Sequence, residues 1–211
     1  MMRWIVVTLL AWSAVAAADV PKVSPISADQ LPAGVTPKGD KLQWAMTFVD
    51  KNGTNYVLVS THAESKNGGT VGPSNSSYLY VDPWVVPKGG KPRNLLPVRD
   101  FVVDCVMGDP SVKFHEDSFA VTDLDNNGVA ELTFGYQLGD CASDVRPTTY
   151  KVMLIDNGTK YILRGKTRVK MGNHGETAGG DFTPDPVEAK WPPAFFTFVK
   201  NTWAKTVNAA E

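Results

Sequence analysis

The 211-residue chain is short of most features that announce a function. Two cysteines and three histidines offer neither a multi-cysteine metal cluster nor a disulfide-dense miniature scaffold. No basic run stands out and the formal net charge is −1, which argues against nucleic acid and anionic membrane surfaces as partners. His-Glu-x-x-His, Gly-x-Ser-x-Gly, a Walker loop and a dinucleotide fingerprint are all missing. His62, His115 and His174 stand apart in the sequence, and no metal-ligand spacing joins them. Apolar residues make up 43% of the chain and charged residues 20%, a balance that excludes a disordered or collagen-like polymer.

What is present begins with an export signal. Met1-Met2-Arg3 supplies a short positive start, Trp4 to Val15 an apolar core, and Ala16-Ala17-Ala18 the small residues of a cleavage site. Residues 1–18 are therefore expected to be a signal peptide. The apolar core falls short of the ~20 residues a spanning helix needs, and no later run supplies them, so no transmembrane segment is expected. The mature protein is expected in the periplasm or secreted. In such an oxidising compartment Cys105 and Cys141 read as a disulfide, closing a loop worth about 4 kcal/mol.

Residues 19–40 lack periodicity and read as an extended N-terminal segment. From Leu42 the pattern has period two: Leu42, Trp44, Met46 and Phe48 alternate with Gln43, Ala45 and Thr47, as in a half-buried strand. Asp50-Lys51-Asn52-Gly53 and Asp156-Asn157-Gly158 mark hairpin turns, and the segments around them echo each other faintly. Further strands are expected at Tyr78 to Val81 (ended by Asp82-Pro83), Leu95 to Val106, Ser118 to Thr122, Val129 to Leu138, Thr149 to Ile155 and Tyr161 to Val169. Near the C-terminus Pro192-Pro193 opens a helix over about residues 193–209, its stripe Phe195, Phe196, Val199, Trp203 and Val207 facing a core. The reading is a mainly β, antiparallel fold, sandwich or curved meander, with one C-terminal helix. Residues 41–211 form its single domain.

The strongest chemical signal is Asp123-Leu124-Asp125-Asn126-Asn127-Gly128-Val129-Ala130-Glu131. Asp123, Asp125 and Asn127 present side-chain oxygens at alternate positions, Gly128 permits a sharp turn, the Val129 carbonyl can point inward, and Glu131 adds a third carboxylate. Calcium takes six to eight such oxygens in irregular geometry. Position 12, where an EF-hand has its bidentate Glu, is Phe134, so this is no EF-hand. The loop resembles instead the short calcium loops between β-strands of integrin-type (FG-GAP) propeller repeats, which close with an acid at position 9. A structural calcium ion is the expected cofactor. The competing reading is an Asp/Asn/Gly hairpin shaped by local hydrogen bonds alone.

Tyr78, Tyr80 and Trp84 are candidates for a binding surface, since exposed aromatics stack on sugars or anchor protein partners. On a sheet the same residues commonly belong to the core. Glu116, Asp140 and Asp144 could supply paired carboxylates for glycan chemistry, which needs two of them about 5 to 10 Å apart.

Thr122 to Gly128, Glu131 to Phe134, Cys141-Ala142-Ser143-Asp144-Val145-Arg146-Pro147 and Lys160 to Gly165 occur in that order. This resembles a family of exported bacterial envelope proteins of unknown biochemical function, some of them labelled as related to surface-polysaccharide biosynthesis. The resemblance implies a Gram-negative envelope location and a β-rich fold, with no established catalytic residues. It adds Asp144 and Arg164 to the candidate binding surface. The functional expectation is a non-enzymatic binding or structural component whose partner is an envelope protein or glycan. The alternative is a cell-surface glycan-processing enzyme using paired carboxylates.

Overall fold

A computed structural model of the chain describes residues 21–67, 72–106, 108–141, 146–172 and 175–208. The signal peptide, Ser143, Asp144 and His174 lie outside the described residues. Among the described residues thirteen strands and one α-helix follow in order: β1 (Ser24–Pro25), β2 (Lys41–Asp50), β3 (Gly53–Lys66), β4 (Ser74–Val86), β5 (Arg93–Asn94), β6 (Val98–Cys105), β7 (Val112–Thr122), β8 (Glu131–Leu138), β9 (Thr149–Asp156), β10 (Thr159–Lys166), β11 (Val169–Met171), β12 (Glu176–Ala178), β13 (Phe182–Asp185) and α1 (Pro193–Thr206). The first sheet runs β1-β2-β3-β4, with β5 and β6 both along β4. The second runs β13-β10-β9-β8-β7, and β11-β12 is a separate ribbon. All these strand pairings are antiparallel, so the mainly β fold with one C-terminal helix is what the chain adopts.

The two large sheets pack face to face. Phe48, Val57, Val59, Leu79 and Val81 of the first meet Leu132, Phe134, Met153, Ile155 and Ile162 of the second in one core. Each sheet is also covered on its outer face. On the second sheet α1 lays Phe195, Val199 and Trp203 against Tyr150, Val152, Leu154 and Leu163, and Val207 joins them just past the helix, which ends at Thr206 rather than near residue 209. Burying that stripe is the main reason a 14-residue helix is stable here. On the first sheet the cover is the N-terminal segment: Ile26, Leu31 and Val35 pack with Leu42, Ala45 and Leu58. Gly39 fits under it because any Cβ there would stand 2.6 Å from the Thr61 carbonyl oxygen.

This double cover explains why period two only partly reports the faces. A register shift between Leu42 and Trp44 turns Leu42 to the outer cluster while Trp44 and Phe48 face the inter-sheet core. In β3 Val57 and Val59 enter the inner core, and Leu58 enters the outer one. β4 does not end at Asp82-Pro83 but runs through to Val86. Pro83 is tolerated because it serves through its carbonyl, which accepts from Leu95 N–H at 2.8 Å.

Candidate metal centre

The acidic loop is the hairpin between β7 and β8, and its backbone is held by its own side chains. Asn126 and Gly128 both take positive φ, 59° and 81°, reversing the chain within a few residues. Asp123 accepts from Asn127 N–H (3.0 Å) and Gly128 N–H (3.0 Å). Asp125 accepts from Asn127 N–H (3.2 Å) and from its side-chain amide (2.7 Å), and Asn127 Oδ1 accepts from Val129 N–H (2.6 Å). These are the local bonds that Asp and Asn make in turns. They bring one carboxylate oxygen each of Asp123, Asp125 and Glu131 within 4.8 Å of one another.

Glu131 is what a simple hairpin does not explain. It is fully buried, at 0% exposure, at the first position of β8. Its Oε2 accepts from Leu124 N–H and Thr122 Oγ1, each at 2.8 Å. Its Oε1 is buried with no hydrogen-bond partner. Burial pushes this carboxyl above the ordinary glutamate range; the Leu124 and Thr122 bonds oppose that, and the Asp125 charge adds to it. An unsatisfied buried carboxylate oxygen is costly, so the site suits a cation. Asp123 is half-buried and Asp125 exposed, leaving the loop a way in from solvent. The three carboxylates together could hold a metal ion. The EF-hand alternative is closed: Phe134 sits in the inter-sheet core, at 0% exposure.

Two residues that sequence reasoning did not single out stand beside the loop. One step past the Leu132–Ile155 pair, Asp156 follows Ile155 in β9 as Glu131 precedes Leu132 in β8. Opposed positions in an antiparallel pair share a face. Asp156 Oδ1 is also buried without a partner, and its carboxyl is raised by burial and then by Asp125. Asp50, from the first sheet, accepts Ala130 N–H at 3.1 Å, while Lys51 N–H donates to Gly128 O at 2.9 Å. The two echoing Asn-Gly turns thus converge on the acidic loop: Asn52, Asn157 and Val129 line one cavity of about 20 Å³, room for a single water.

The other expected residues lie elsewhere. Cys105 and Cys141 form the disulfide, with Cα atoms 5.1 Å apart. It joins the end of β6 to the chain just past β8, so it bonds one sheet to the other at the far end of β8 from the acidic loop. Tyr78 is buried at 8% exposure and donates its hydroxyl to Glu64, and the Arg99 guanidinium lies over the rings of Tyr78 and Tyr80. Trp84 packs in the outer cluster of the first sheet. These aromatics therefore do not form one open platform. Asp140 pairs with Arg146 at 3.0 Å, Glu116 is exposed in β7, and Arg164 pairs with Asp185 at 3.2 Å.

Fold and site together define a disulfide-bonded, two-sheet β-protein with an Asp/Asp/Glu group able to hold a metal ion. No protein-family model, curated protein or solved structure matches the chain. Among the described residues no helix is long and apolar enough to cross a membrane.

Proposed function

We propose that this is an exported protein of the bacterial envelope whose 123–131 loop holds a structural calcium ion, and that it acts as a non-enzymatic binding or structural component. The observation that carries the reading is Glu131 Oε1, buried and unpartnered beside Asp123 and Asp125. Asp123, Asp125 and Glu131 are the ion's carboxylates. Asn127 Oδ1 and the Val129 carbonyl complete the loop's ligand set once the ion replaces the internal hydrogen bonds. Asp156, on the neighbouring strand β9 and outside that group of three, adds negative charge near the ion. The disulfide supports an oxidising compartment.

The test is a thermal melt of the oxidised protein with calcium and with chelator. An ion at 100 times its dissociation constant adds about 2.7 kcal/mol. That raises the midpoint by roughly 5 to 10 °C for a chain of this size. Asp123→Ala should abolish the shift. A wild-type midpoint that ignores millimolar calcium removes the proposal.

A further inference from the structure

The open side between β6 and the β9-β10 hairpin holds a groove of about 370 Å³, within the size range of small-molecule sites. Half-buried Leu96 and Val98 give it an apolar floor, laid over Met153 and Ile162, which are almost wholly buried in the inter-sheet core. Its one lining acid is Asp100, and that acid is already engaged: the Tyr136 hydroxyl donates to it at 3.0 Å and the Lys151 ammonium bonds the same oxygen. Lys151 and Asp100 are 15% and 18% exposed, so this end is a fixed, half-buried ion pair between the two sheets. Burial raises the Tyr136 phenol far above its ordinary value, and the phenol therefore stays a donor, although Arg164, which lines the same groove, opposes that shift.

Along β10, Lys160, Ile162 and Arg164 line the groove at alternate positions and hence on one face. Lys160 is exposed and forms no ion pair among the described residues. Arg164 reaches Asp185 through Nε and Nη2, but both donate to a single oxygen, at 3.3 and 3.2 Å. With side chains 41% and 60% exposed, that pair is weak and leaves guanidinium donors unspent. The groove thus combines an apolar floor, a neutralised ion pair at one end, two cations with donor capacity along one wall, and the exposed Arg99 on β6.

We propose that this groove binds a small organic anion, its carboxylate or phosphate oxygens on Lys160 and Arg164 and its apolar face on Leu96 and Val98. The groove shares no lining residue with the cavity at the acidic loop and does not depend on the calcium reading. Phosphate and carboxylate share the chemistry of recognition, a planar guanidinium and an ammonium facing oxyanion oxygens.

The test follows backbone amide signals of the full chain during titration with glucuronate, hexanoate and inorganic phosphate, in chelator and again in calcium. Saturable shifts at millimolar concentration, centred on β6, β9 and β10, are expected for at least one of the two organic acids. Lys160→Met/Arg164→Met should weaken that binding at least tenfold while its melting midpoint stays at the wild-type value, since both side chains are at the surface. Tighter glucuronate marks a sugar acid, and tighter hexanoate an aliphatic one. If neither organic acid saturates, whether or not phosphate does, or if the double variant binds as tightly as wild type, the proposal fails.

Discussion

The two ends of the sandwich are fastened by different chemistry. At one end the Cys105–Cys141 bond joins the sheets covalently. At the other, the 50–53 turn of the first sheet clasps the 123–131 loop of the second through two hydrogen bonds, with two unpartnered carboxylate oxygens beside the clasp. The covalent end holds whatever the solution contains, provided it stays oxidised. The acidic end is only as tight as its charge balance, so it is the end that answers to metal and to protons.

The sharpest way to break this comparison is to cut the covalent end. Cys105→Ser/Cys141→Ser should lose about 4 kcal/mol in denaturant unfolding, the loop-closure value for this separation. The calcium-dependent rise in midpoint should survive, because the acidic loop is at the opposite end of β8. If the double variant loses its calcium response, the two ends are not independent.

Glu131→Gln separates the ion's contribution from that of packing. Metal-free, a carboxyl raised by burial binds more protons folded than unfolded, so its contribution to stability is present at low pH and is lost as pH rises through the raised value. The neutral amide removes that loss. In chelator near pH 7 the variant should therefore melt no lower than wild type, and its calcium shift should vanish. Wild-type calcium stabilisation should itself fade as pH falls toward the raised Glu131 value, because a proton then competes with the ion. A variant that melts lower in chelator would mean that Glu131 serves the fold through its two hydrogen bonds alone.

Asp156→Asn tests whether the carboxylate of the neighbouring strand strengthens the ion's binding. Calcium affinity measured by calorimetry should fall about tenfold, or about 1.4 kcal/mol. An unchanged affinity confines the ion to the loop. The smallest effect belongs to His115, outside both ends, at 6% exposure and 5.2 Å from the Tyr150 ring. Burial lowers its pKa from 6.5, so the folded protein binds fewer protons than the unfolded chain just below that pH, and stability falls as pH drops through this window. His115→Gln should flatten that slope by under about 1 kcal/mol, as read from urea midpoints between pH 7 and 5.5. A slope unchanged in the variant would assign the acid sensitivity elsewhere.

Much of this was legible in the sequence because it is local. Asp123, Asp125, Asn127 and Glu131 stand within nine residues of one another, and the side chains themselves shape the turn. The stripe Phe195, Val199 and Trp203 follows from helical spacing, and the cysteine pair from compartment and count. The strands of the two hairpins followed from alternation around Asn-Gly. What alternation could not give was face and extent: the bulge after Leu42 reverses a face, and β4 passes through Pro83 because the ladder there needs only a carbonyl.

By itself, then, the sequence determined the acidic loop, the disulfide pair, the terminal helix and the antiparallel β class, since each rests on contacts short along the chain or on residue type. Only tertiary structure decided that the sheets stack face to face, that residues 21–40 roof the first sheet, and that Asp50 reaches Ala130 across 80 positions of sequence. It also decided that Asp156 stands beside Glu131 and that Lys160 and Arg164 share a groove with Asp100. These depend on strand register and sheet packing, which are fixed by burying apolar faces over the whole domain and leave no signature in any short window.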